Sequence, residues 1–232
     1  MCFAGSNKLT IMIQQKKAGL KILPVMFGFF IMGFIDIIGI ATSYVKNDFA
    51  GMSDTAVNLI SLSCFFWFLV LSIPTGMMLN KWGRKKTVVA SFVIHGLALV
   101  IPLFNYDFAS VLVCFGLVGI GNTMLQVALN PLVTNVVARE KLAGTLTFGQ
   151  FVKAISSLTG PVLAAWLAAS AYGWRMLFPV YAGLSLLGAL WLLTTRIPEE
   201  DRSANEHITI KSAFSLLKDK YIIAFFIGIL VL

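Results

Sequence analysis

Six apolar stretches, each long enough to cross a bilayer, constrain this 232-residue chain more than any other feature. They run over residues 22–44, 56–79, 87–105, 108–137, 146–171 and 175–195. A helix needs about 20 apolar residues to span the hydrocarbon. Composition agrees: 58% of the residues are hydrophobic and 12% charged, where soluble domains carry about 25% charge. The reading is an all-α integral membrane protein. A seventh stretch, YIIAFFIGILVL, begins at Tyr221 and reaches the last residue after 12 positions. That length is too short to span, so the chain is expected to stop partway through a longer protein.

The net charge of +8 is explained by where the charges fall rather than by nucleic acid. Fifteen of the 18 Lys and Arg lie before the first span, in the links at 80–86 and 138–145, or in the segment 196–220. Lys46 and Arg175 are on the other side, and Lys153 is inside a span. Such asymmetry marks the cytoplasmic side, which puts the N-terminus there and the protein in the cell (inner) membrane. Residues 1–21, with Lys8, Lys16, Lys17 and Lys21, read as a cytoplasmic tail. They show neither the short apolar core nor the cleavage site of a signal peptide.

The outward links VKNDFAGMSD, FNYD and AYGW are short, and 196–220 is the one long polar segment. Within it, ITIKSAFSLL (208–217) could form a surface amphipathic helix or a plain linker helix. The expected domains are therefore the tail at 1–21, a six-helix bundle at 22–195, a cytoplasmic linker at 196–220 and the start of helix seven at 221–232. This is the layout of one half of a two-bundle transporter, whose halves often hold two inverted three-helix repeats. Asp36 in helix one and Asn122 in helix four both fall about 14 residues into their spans, consistent with a repeat, at about 21 Å of helical rise.

The polar residues inside spans carry the functional argument. Counting about 1.5 Å per residue from the cytoplasmic end, Asp36 and Asn122 lie deepest, then Gln126, then Asn130 and Lys153, with Gln150 shallowest. Asn122, Gln126 and Asn130 are spaced i, i+4, i+8, and Gln150, Lys153 and Ser157 also share one face. Polar faces avoid lipid, so they are expected to line an interior cavity. The alternative is that the amides hydrogen-bond helices together. Asp36 is the single acid in any span and Lys153 the single base. Intramembrane ionisable groups are functional by default. Asp36 could carry a proton, since a carboxylate out of water changes charge as its surroundings open and close. The alternative is a structural ion pair with Lys153, which Gln126 could bridge.

Other features read as structural. GLVGIG (116–121) fails the dinucleotide spacing, and its glycines suit close helix packing. Pro131 and Pro161 can bend helices four and five and free carbonyls. His95 reads as a packed, neutral histidine. Cys2, Cys64 and Cys114 show no disulfide pattern. No metalloprotease, hydrolase or Walker motif and no Cys/His cluster appears, so neither enzyme chemistry nor a cofactor or metal is expected.

The link GMMLNKWGRKK (76–86) resembles the signature of the major facilitator superfamily, Gly-x-Leu-x-Asp-Arg-x-Gly-Arg-Lys/Arg. Gly76, Gly83, Arg84 and Lys85 match and Lys81 keeps the charge, while Asn80 replaces the family's Asp and Met78 its Leu. The resemblance implies a gating loop whose glycines let helices approach and whose bases reach neighbouring helix ends. It also implies a twelve-helix fold of which this is the N-terminal six-helix bundle. LQVALNPLVTNVV (125–137) and TFGQFVKAISSLTGP (147–161) are similar to the fucose–galactose–glucose proton symporters. Asn130-Pro131, Gln150 and the position of Asp36 match. Fucose-type members have Glu where Gln126 stands and Asn where Lys153 stands.

What the resemblance implies is a secondary active transporter of a sugar or similar small polar solute, coupled to protons through Asp36. Asn122, Gln126, Asn130, Gln150 and Lys153 would bind the substrate, in a lipid bilayer and with no nucleic acid. An exporter of drugs or metabolites by antiport is the alternative, although Gly160-Pro161-Val-Leu-Ala164-Ala165 only loosely echoes the antiporter motif. A non-transporting sensor or scaffold is the alternative of another class.

Overall fold

The computed structural model describes residues 21–198 and 218–231. The expected tail, the helix at 208–217 and Cys2 lie outside the described residues. Six helices are long and apolar enough to cross a membrane: α1 (Lys21–Asp48), α2 (Asp54–Trp82), α3 (Arg84–Phe104), α4 (Phe108–Thr134), α5 (Arg139–Ala169) and α6 (Trp174–Thr194). A further helix, α7 (Lys220–Val231), follows. Each expected span is present. The largest shift is at α5, which starts seven residues early because Arg139, Glu140 and Lys141 are helical although not apolar.

The ends follow from local chemistry. Ser53 caps α2 by accepting from the Ala56 N–H at 3.2 Å. Asp107 caps α4 by accepting from the Ser110 N–H at 2.6 Å, a bond that holds its carboxyl below the usual carboxylate range. Between α2 and α3 a single residue, Gly83, makes the reversal with φ +94°, a conformation that only glycine adopts without strain.

The core has two centres. Ile35, Ile60, Cys64, Phe115 and Phe178 fill the half away from the basic links. Phe29, Phe92, Leu125, Leu129 and Leu192 fill the half beside them. Phe34 and Leu184 pack against both. Small residues close the helix contacts: an added Cβ at Gly119 would stand 2.2 Å from the Cys64 carbonyl oxygen, and one at Gly121 would stand 3.1 Å from that of Ser91. Close packing therefore accounts for these two glycines of GLVGIG, whereas Gly116 has ordinary room. Gly76 and Gly83 differ from the expectation for the link. A Cβ at Gly76 would meet nothing within 4 Å, and Gly83 is needed for its backbone angle.

Burial is uneven. In α1, 61% of the central apolar window is buried, against 17% in α2 and 22% in α5. α2 and α5 thus turn most of their apolar surface outward, Leu69 and Leu158 among it.

Candidate functional site

α1 is not uniformly wound. Residues Gly33–Ile37 form a 3-10 turn in mid-helix, where the tighter winding often marks a functional position. Gly33 and the β-branched Ile35 and Ile37 hold the α-conformation weakly. The turn lies where the two core centres meet. It also lies against α5: a Cβ at Gly33 would stand 2.6 Å from Ser156 Cβ and 2.7 Å from the Lys153 carbonyl oxygen. The two backbones therefore touch only because position 33 has no side chain.

Three residues beyond this contact, Asp36 turns to an exposed surface and accepts a hydrogen bond from the Ser157 hydroxyl. The same hydroxyl lies 3.1 Å from the Lys153 carbonyl oxygen. Pro161 has no N–H to give to the Ser157 carbonyl one turn back, so Ser157 offers both a hydroxyl and a carbonyl released from the helix ladder. Lys153 is half-buried one turn from Ser157, and Gln150 is exposed one turn further. The Asp36–Lys153 ion pair left open by the sequence does not form: the carboxylate takes the serine instead. Among the described residues no hydrogen bond from Gln126 bridges them.

On α4 the expected common face is corrected by helix geometry. Asn130 is exposed, Gln126 half-buried and Asn122 completely buried. Each step of four residues overshoots a full turn by about 40°, so Asn122 points about 80° away from Asn130. It reaches the interior, where neither its Oδ1 nor its Nδ2 has a hydrogen-bond partner among the described residues. The structure thus brings Asp36, Gln150, Lys153 and Ser157 to one surface and sets Asn122 apart from it. A partly open cavity of about 30 Å³ lies behind the 3-10 turn, between α1, α3, α4 and α6, with His95 and Ser185 in a mainly apolar wall. His95 is buried there beside Gly121, its Nδ1 without a partner.

At the basic end, Arg84 holds α3 to the end of α4. Its guanidinium donates to the Pro131 carbonyl at 3.2 Å, to Thr134 Oγ1 at 2.7 Å and to Asn135 Oδ1. Lys85 Nζ reaches the Leu193 carbonyl at 2.9 Å, and Asn135 Nδ2 donates to the Pro198 carbonyl at 3.0 Å. The link's bases therefore do reach neighbouring helix ends. Asn80 and Lys81 are exposed.

A cluster at the opposite end was not singled out from the sequence. Asp48 accepts from Tyr106 Oη at 2.7 Å, Trp174 Nε1 at 2.9 Å and Arg175 Nε at 3.3 Å. The Arg175 guanidinium lies 3.6 Å from the centre of the Tyr106 ring. Phe49 stacks on Tyr106 and Tyr44 on Trp174. Burial first, then Asp48, pushes the Tyr106 hydroxyl well above its ordinary range. Lys46 pairs with Asp54, so Lys46 and Arg175, the two cations at this end, are both matched by acids. The only signal in the sequence was one polar or aromatic residue in each of three short links.

Comparison with known proteins agrees with this architecture. The profile of the Major Facilitator Superfamily matches residues 25–232. A glucose/galactose transporter of Brucella abortus (strain 9-941) is 31% identical over 161 residues, 68% of this chain and 39% of the relative. A hexuronate transporter of Bacillus subtilis (strain 168) is 23% identical over 177 residues, 73% of this chain and 40% of the relative. The chain thus spans about two fifths of the length of these relatives. Among solved structures, a proton:xylose symporter bound to 6-bromo-6-deoxy-D-glucose aligns with TM-score 0.67 at 16% identity, covering 80% of this chain and 46% of that one. The fucose:proton symporter of E. coli aligns with TM-score 0.62 at 17% identity, covering 84% and 54%. The six membrane-crossing helices, the GMMLNKWGRKK link and the profile match lead to one conclusion: the chain is an integral membrane protein that belongs to the Major Facilitator Superfamily.

Proposed function

We propose that the protein is a proton-coupled secondary transporter of a sugar or related small polar solute, working by alternating access. Asp36 carries the proton, and Gln126, Asn130, Gln150 and Lys153 contact the solute. Asn122 supports them from inside α4. This bundle rocks against a second one around a mid-membrane site, in the cell inner membrane with its basic end in the cytoplasm. The link Gly76, Asn80, Lys81, Gly83, Arg84 and Lys85 gates the basic end.

One observation carries the reading: a mid-span carboxylate, exposed on a 3-10 turn, whose partner among the described residues is a single serine hydroxyl. A charge so lightly held can be neutralised without dismantling the fold around it. Relatives named for glucose, galactose and hexuronate support a sugar, and the symporter structures support a proton as the coupling ion. Uptake into proteoliposomes by the protein at its native length, with a sugar panel and an imposed pH gradient, tests it. Gradient-driven accumulation that survives Asp36→Asn removes Asp36 as the coupling acid.

A further inference from the structure

The base beside Asp36 has no part in the reading above beyond contact. Lys153 is a basic side chain in mid-helix, 14 residues from the start of α5 and well away from the basic links, and it is half-buried. Its own carbonyl oxygen receives the close approach of Gly33, and Ser157, one turn on, holds Asp36. A cation in a membrane span is costly unless it meets an opposite charge, and the Asp36 carboxylate, held by Ser157 one turn away on the same helix, does not pair with it. We propose that Lys153 reads a carboxylate on the transported solute, so that the substrate is a sugar acid which loads together with the proton on Asp36. The inference rests on the proposed sugar transport and narrows its substrate class.

Charge balance gives the coupling its direction. With Asp36 ionised and Lys153 charged, the site is neutral, and an incoming anion would leave it with a net negative charge. With Asp36 protonated, Lys153 contributes an uncompensated positive charge, and the anion restores neutrality. Protonation therefore favours the anion, and by reciprocity the anion favours protonation. A neutral sugar gains nothing from this exchange of charge. Among the described residues, the other ionisable groups on the neighbouring helices are engaged elsewhere. On α5, Lys153 lies one turn from Ser157, the residue that holds Asp36. On α6 Tyr181 stacks on Phe34 with ring centres 3.9 Å apart. On α3 His95 lies in the partly open cavity, and on α2 Cys64 is sealed against Gly119.

The test is binding of glucuronate and glucose to the purified protein at native length, between pH 8 and pH 6. A sugar carboxylate stays ionised across that range. Wild type is expected to bind glucuronate about tenfold more tightly than glucose, and more tightly as the pH falls. Lys153→Gln is expected to lose that preference, its glucuronate affinity falling to the level of its glucose affinity, and Lys153→Arg to keep it. Asp36→Asn is expected to bind glucuronate without the pH dependence. Equal loss of both sugars in Lys153→Gln, rescued or not by Lys153→Arg, assigns Lys153 a structural role and overturns the inference. Preference for glucose, unchanged by Lys153→Gln, overturns it while leaving sugar transport intact. If neither sugar binds and no other sugar is taken up, the transport reading itself falls, and this one with it.

Discussion

Two aspartates on α1, one on its mid-helix 3-10 turn and one at the end away from the basic links, are held in opposite ways. Asp48 is saturated: a phenol, an indole and a guanidinium from two other links converge on it. Asp36 has one serine hydroxyl. A carboxylate with three donors costs much to neutralise, because every one of its charge-assisted hydrogen bonds is weakened at once. One with a single donor can gain a proton and lose little. The difference separates a charge that ties the bundle from a charge that can change.

The comparison breaks most visibly at Asp36. Asp36→Asn is expected to reduce gradient-driven accumulation to that of protein-free liposomes while leaving substrate exchange and the Tm in detergent as they were. A large fall in Tm would put Asp36 in the same class as Asp48. The reciprocal change, Asp48→Ala, is expected to cost about 2 kcal/mol, since the half-exposed Arg175 limits the share of the ion pair. A thermal melt would read this as a Tm lower by about 5 °C, with coupling of solute to proton preserved. Ser157→Ala sharpens the contrast: removing the hydroxyl that holds the Asp36 carboxylate should lower gradient-driven accumulation severalfold with the Tm held within about 2 °C. Unchanged accumulation would mean that the serine contact has no bearing on coupling. The smallest effect is expected from Trp174→Phe, which keeps the stack on Tyr44 and loses one N–H donor, for about 1 kcal/mol. A Tm change as large as that of Asp48→Ala would show that packing of the whole indole, not the acid, holds this end.

These contrasts explain what the sequence made legible. Helix positions follow from long apolar runs, and all six came through because burial in lipid leaves the backbone no other solution. Arg84 and Lys85 reach helix ends as a basic link should. Asp36 and Lys153 stood out because a charge inside an apolar run is rare. Their relation was not legible, since whether Lys153 or Ser157 meets the carboxylate depends on the winding of α1 and its contact with α5 through Gly33. Asn122 was misplaced on a common face because spacing in fours hides an angular drift. The Asp48 cluster was invisible for another reason. Its partners are 58, 126 and 127 residues away, and nothing local announces such a meeting.

The 3-10 turn in α1 has one more effect. Five residues wound at three per turn rotate about 100° further, and rise about 2.5 Å more, than five in an α-helix. The turn is therefore an angular offset between two halves of a single helix. The lower half is indexed by Phe29, whose ring sits where a side chain at Gly149 would go. The upper half is indexed by Tyr44 and Asp48 against Trp174. With both ends fixed, the turn cannot relax to an α-helix without unseating one of them, and the bearing of Asp36 toward α5 is set by that offset.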